Sequence, residues 1–79
     1  MIKESYFSGR TDINGNIYPY PDIESTKVHV LGAYSHDCVA SPFVSTDGNK
    51  VYFHIASFNA ANIGNGVDKT VFYLYIDIV

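Results

Sequence analysis

Apolar positions along this chain recur with a period of two rather than 3.6, in short runs separated by Gly, Asn, Asp and Pro. That pattern predicts strands and turns without helices. TKVHVLGA, residues 26–33, alternates Thr26, Val28 and Val30 with Lys27, His29 and Leu31, as a half-buried strand does. NKVYFHIASF, residues 49–58, sets Val51, Phe53 and Ile55 inward against Lys50, Tyr52 and His54. TVFYLYIDIV, residues 70–79, is apolar on both sides, with Phe72, Leu74, Ile76 and Ile78 opposite Val71, Tyr73 and Tyr75. A strand covered on both faces is expected there, by the core on one side and by a partner subunit on the other. CVASPFVS, residues 38–45, holds Pro42, which cannot donate to a ladder and so belongs at an edge or a bulge. Short runs around Tyr6 and Ile17 bring the total to about six strands.

Asn14-Gly15 and Asp47-Gly48 are dipeptides that supply the positive φ angles of tight hairpin turns. NIGNGVD, residues 62–68, reads as a longer loop. TDINGNI, from Thr11, also has the oxygen-rich look of a calcium loop. Such a loop needs glycine at its sixth position and a bidentate Glu at its twelfth; counted from Asp12, those are Ile17 and Ile23. A two-residue hairpin turn at Asn14-Gly15 is the expectation, and no metal site. The economical closure is a single domain over residues 1–79: an all-β, small antiparallel β-sandwich of about six strands. Phe53, Ile55, Phe72, Leu74 and Ile76 are its expected core.

Size sharpens this picture. A 79-residue chain buries only about 60% of the surface it exposes when unfolded, and a lone cysteine, Cys38, excludes an internal disulfide. Yet 47% of the residues are apolar or aromatic, with seven Tyr and five Phe, and 16% are charged. Self-association is the expected remedy, with the 70–79 strand as interface and Tyr73 and Tyr75 buried between subunits. The formal charge is −3, and five Lys and Arg are spread singly, so no basic patch is available for nucleic acid. No run reaches the ~20 apolar residues of a bilayer-spanning helix, and Lys3 and Glu4 interrupt any signal-peptide core. Synthesis in the cytoplasm without membrane insertion is expected.

Candidate chemistry is sparse. YSHDC, residues 34–38, lines up Ser35, His36, Asp37 and Cys38, but adjacent side chains on an extended segment point to opposite faces, so no Ser-His-Asp relay closes among them. His36 and Cys38 share a face in that reading, which leaves a small Cys/His hydrolase as the alternative to a chain with no catalytic residues; a buried, inert Cys38 is the expectation. His29 and His54 fall on outer strand faces, as cross-strand neighbours or near an oligomer axis, without the ligand set a metal needs. No cofactor is indicated. Tyr18, Tyr20, Tyr34, Tyr52, Tyr73 and Tyr75 exceed what a small core requires, and rings with a polar tip suit interfaces and recognition surfaces. Tyr18 and Tyr20 alternate with Pro19 and Pro21 after a tight turn, so their rings sit on a stiff loop, either exposed or plugging the end of the sandwich.

In order along the chain, TDINGNI, KVHVLGAYS, ASPFVSTDGNKVYFHIAS and KTVFYLYI resemble the C-terminal modules of tail-fibre, baseplate and minor structural proteins of phages that infect Gram-positive hosts. The resemblance runs from about Ser8 to Ile78 and is one of strand and turn texture. It implies a β-sandwich assembled as a homotrimer, located in the virion tail after synthesis in the host cytoplasm, and adhering to host cell-surface glycans. No fibre shaft precedes the module, so a trimmed piece or a free-standing relative is expected. On these expectations Tyr18, Tyr20, Tyr34 and Asp22 form a saccharide-binding surface on a non-catalytic module, with a purely structural subunit as a further alternative.

Overall fold

The computed structural model describes residues 1–59 and 63–78. Seven strands appear: β1 (Lys3–Arg10), β2 (Asn16–Ile17), β3 (Ile23–Glu24), β4 (Val28–Tyr34), β5 (Val39–Val44), β6 (Lys50–Ala56) and β7 (Asp68–Asp77). They form two antiparallel sheets, and no helix is present among the described residues. The front sheet has the order β1-β7-β4. In the back sheet β6 is central, with β5 along one edge and β2 and β3 in succession along the other. The count exceeds six because that second edge is interrupted: Tyr18 to Asp22 leave the ladder between β2 and β3, with a cis Tyr20–Pro21 peptide inside the excursion. Pro42 sits in β5 at the free edge of the back sheet, where its missing N–H removes no ladder bond.

The core lies between the sheets. Phe53 and Ile55 of β6 and Val71 of β7 are fully shielded, with Ile17, Val51, Cys38 and Ala40 nearly so, and Phe7, Val30, Ala33 and Tyr73 pack against them. Phe7 and Tyr73 meet Phe53 at ring centroids 5.3 and 5.8 Å apart, a tilted arrangement that suits the ring quadrupoles.

β7 corrects the expected core. Its inner face carries Val71, Tyr73 and Tyr75, whereas Phe72 and Leu74 point outward and Leu74 is 37% exposed. Apolar residues on both sides of a strand leave its facing undecided, and the ladder settles it: Val71 pairs with inward Phe7, and Tyr73 with inward Ala33. Phe72, Leu74 and Ile76 therefore belong to the outer surface. The ladder of β4 is also shifted by a bulge between Val30 and Gly32. With Leu31 as the extra residue, Val30 and Ala33 both face the core although they are an odd number apart.

The turns differ from the two-residue form. Asp12 and Asn16 close a three-residue loop, with Asp12 N donating to Asn16 O at 2.9 Å and Gly15 N to Asp12 O at 3.0 Å. Gly15 takes φ 77°, the bulge-forming position of such a loop. Asp12 Oδ1 accepts from the amides of Asn14 and Asn16, so the oxygen-rich look of this stretch belongs to its turn. The second hairpin is a four-residue loop closed by Ser45 and Lys50, with positive φ at Gly48 and Asn49. Buried Thr11 marks the corner where the chain crosses between sheets. Its backbone exchanges hydrogen bonds with Gly66 and Val67, while its hydroxyl donates to Gly64 O at 2.6 Å and accepts from Val67 N at 2.9 Å. The expected 62–68 loop is thus tied down over 64–67; Asn62 and Val79 lie outside the described residues.

Candidate functional site

Register places three aromatic rings in a row across the outer face of each sheet. On the front, Tyr6 of β1 and Tyr34 of β4 are the cross-strand partners of Phe72. Their centroids lie 5.8 and 5.1 Å from that of Phe72, and His36 folds back from the end of β4 to stack on it at 4.9 Å and 12°. On the back, Tyr52 of β6 faces Phe43 of β5 and receives Tyr18 from the residue after β2, at 5.7 and 5.0 Å. Nearly parallel rings about 5 Å apart overlap face to face, because coplanar rings so close would clash. Tyr34 and His36 stack on Phe72, and Tyr18 and Phe43 on Tyr52, whereas Tyr6 meets Phe72 tilted by 36°.

Polar neighbours distinguish the two stripes. Behind the front one, Ser8 and Thr70 bond to each other at 2.8 Å and Ser35 Oγ donates to Thr70 O, so these groups are consumed within the sheet. Two ion pairs, Arg10–Asp68 and Lys69–Asp37, lie at that end. The hydrogen bond from Lys69 holds the Asp37 carboxyl below the usual carboxylate range, and Arg10 does the same for Asp68. Beside the back stripe runs a row of Asn16, His54 and Ser41, in which His54 Nδ1 donates to Asn16 Oδ1 at 2.8 Å. On its other side Lys50 pairs with Asp22 at 2.9 Å, and the bond to Asp22 raises the lysine above its ordinary value.

The four expected ligand-binding residues divide between these surfaces. Tyr18 ends the back stripe and is 52% exposed. Tyr20 follows two residues later and is 94% exposed, while Pro19 between them is buried. Both rings are exposed, and of the three residues it is Pro19 that is buried. Asp22 completes this loop through its pairing with Lys50. Tyr34 belongs to the front stripe, on the opposite side of the sandwich. Sequence reasoning did not single out Tyr6, Phe43 and Phe72 as surface rings, since only cross-strand register brings them together.

The other chemical candidates are also separated. Cys38 is 2% exposed and points into the core, whereas His36 lies exposed on Phe72, so the two do not share a face. His29 is on β4 of the front sheet and His54 on β6 of the back sheet, which excludes cross-strand neighbours within one chain. Among the described residues no group of three or more His, Cys, Asp or Glu is arranged to hold a metal ion, and no helix is long and apolar enough to cross a membrane. Tyr73 is packed against the core and Tyr75 is half-buried on the same inner face, so neither ring stands on the outer face of β7. Comparison with protein-family models, curated proteins and solved structures found no match to this chain.

Proposed function

We propose that this chain is a non-catalytic adhesive module of a phage particle, acting as a homotrimer and binding host-surface saccharides through the loop from Tyr18 to Asp22. The observation that carries this reading is Tyr20, whose ring is 94% exposed on a backbone fixed by a buried proline before it and a second proline after it. A large ring held in water without a covering partner is what a recognition surface offers, because little entropy remains to be lost on contact. No other ring is stacked on Tyr20 among the described residues, so both its faces are open to the apolar side of a sugar. Asp22 and Lys50 supply a hydrogen-bonding acceptor and donors beside it. The resemblance of the strand and turn texture to phage tail modules supports the same reading, and three linked weak sites in a trimer gain by avidity.

The test is a titration of the folded protein with fragments of Gram-positive cell wall, by calorimetry or NMR. Tyr20→Ala is expected to weaken binding by about fivefold or more, the cost of losing a contact hot spot. Tyr18→Ala weakens it less, and Tyr34→Ala leaves it unchanged. Undetectable binding by wild type and all three folded variants overturns the saccharide reading.

A further inference from the structure

We infer that the saccharide site continues from the Tyr18–Asp22 loop into the cleft between the sheets at the end of β7, so that the ligand is an oligosaccharide lying across both and not a single sugar. The inference rests on the saccharide reading of that loop and adds a second subsite with residues of its own. The cleft is walled by Tyr73, Tyr75 and Asp77 of β7 and by Asp22, Glu24 and Lys27 in and around β3. It arises because β7 runs for ten residues while β3, across the cleft, has two. The inner-facing series of β7 therefore outlasts the core: Val71 is fully shielded and Tyr73 packs against the core, but Tyr75 is half-buried and Asp77 exposed. A volume of about 350 Å³ falls within the range of small-ligand pockets.

The chemistry of the walls selects an uncharged, hydroxylated ligand. Each carboxylate is matched by a lysine: Asp22 by Lys50 at 2.9 Å, Glu24 by Lys27 at 3.0 Å, and Asp77 by Lys3. Three acids against three bases leave this rim without net charge, so it favours neither a cation nor an anion. Hydrogen-bonding capacity nevertheless remains. The lysines take Asp22 Oδ2, Glu24 Oε2 and Asp77 Oδ2, and the other oxygen of each carboxylate has no partner among the described residues. Acceptors and ammonium donors thus stand side by side, which matches hydroxyls that both donate and accept. The apolar part of the wall is aromatic. Tyr75 meets one other ring, Tyr73, at 5.5 Å and 38°, and among the described residues no ring covers the rest of it. Such a ring beside polar groups suits the C–H face of a sugar. Asp22 joins the two parts, because it closes the loop that carries Tyr20 and also lines the cleft. Two residues of chain span at most about 7 Å, so neighbouring units of one glycan can sit on Tyr20 and in the cleft together.

The test uses Gram-positive cell-wall glycan cut to one, two and four sugar units, titrated into the folded protein by calorimetry and by NMR, with circular dichroism reporting the fold of each variant. Wild-type affinity is expected to rise about fivefold or more from one unit to the longer fragments, the gain of a second contact hot spot. The amides of Glu24 and Asp77 should shift only with the longer fragments, and Tyr75→Ala should bring those fragments down to the affinity of the single sugar. The wild-type shifts keep the experiment decisive should Tyr75→Ala fail to fold. Equal affinity at all lengths, or a length gain that survives in folded Tyr75→Ala, overturns the cleft; if Tyr20→Ala still weakens that binding, the loop reading stands. Absence of binding at every length overturns the loop reading and the extension with it.

Discussion

The two outer faces of this sandwich carry the same device, three aromatic rings in a row, set in different surroundings. On the front the hydroxyls of Ser8, Thr70 and Ser35 are spent on the sheet itself, and leucines extend the apolar area. On the back, charged and amide side chains border the rings, and a proline-stiffened loop carries Tyr20 out beyond them. What differs is therefore the setting and not the aromatic content: on the front Glu4 and the Arg10–Asp68 pair share the face with the leucines, whereas on the back the bordering groups pair with one another, Lys50 with Asp22 and His54 with Asn16, and only there does a loop carry a ring, Tyr20, almost wholly into solvent. Counting tyrosines alone would have assigned both faces the same role.

The largest effect separates the inside of the sandwich from either face. Phe53→Ala, at a fully buried position, is expected to cost about 3–5 kcal/mol by transfer and cavity terms. Leu74→Ala is expected to stay within about 1 kcal/mol, because much of that side chain is already in water. Equal shifts of the urea midpoint in the two variants would break the assignment of Leu74 to the outer surface. Next comes the corner that holds the faces on their separate sheets. Thr11→Val keeps the shape but removes a hydroxyl that satisfies both Gly64 O and Val67 N, and about 1–3 kcal/mol is expected for buried groups left unpaired. A melting temperature equal to wild type would show that the loop from 64 to 67 does not depend on this contact.

A smaller effect compares the stripes directly. Phe72 is packed by Tyr6, Tyr34 and His36, and Tyr52 by Tyr18 and Phe43. Truncation of Phe72 to Ala should exceed that of Tyr52 by about one ring contact, ~0.5–1.5 kcal/mol, in thermal melts below the concentration of self-association. The reverse order would mean that the back stripe is the better packed. The smallest effect is electrostatic and shows in the pH dependence of stability. Asp37 and Asp68, at the front, have carboxyls lowered by Lys69 and Arg10. Their stabilisation is present above the usual carboxylate range and is lost as pH falls through the lowered values. Lys50, at the back, is raised by Asp22, so its stabilisation is present below the ordinary lysine value and is lost as pH rises through the raised one. Asp37→Asn should flatten the acid limb of a stability profile and also part of the alkaline limb, because Asp37 raises Lys69, whereas Lys50→Met flattens the alkaline limb. At least one partner of each pair is exposed, so added salt should shrink both limbs.

The alternation in residues 49–58 and the position of Pro42 were enough to determine an antiparallel sandwich with Phe53 and Ile55 at its centre, because polar residues on one side of a strand declare which side is wet. Composition alone also made an exposed aromatic surface unavoidable, and the two prolines around Tyr20 made its loop stiff. In residues 70–79 the same alternation was silent, since Phe72, Leu74 and Ile76 are as apolar as Val71, Tyr73 and Tyr75; only pairing with Phe7 and Ala33 decided which set is inside. The bulge at Leu31 reversed the phase of β4 halfway along it, which no local pattern records. Tyr34 was parted from Tyr18 and Tyr20 by the same cause: strand register is a long-range property, and it set these rings on opposite sides of the molecule. Local chemistry chooses strands, turns and the wetness of each side chain, while neighbours far along the chain decide which side chains share a surface.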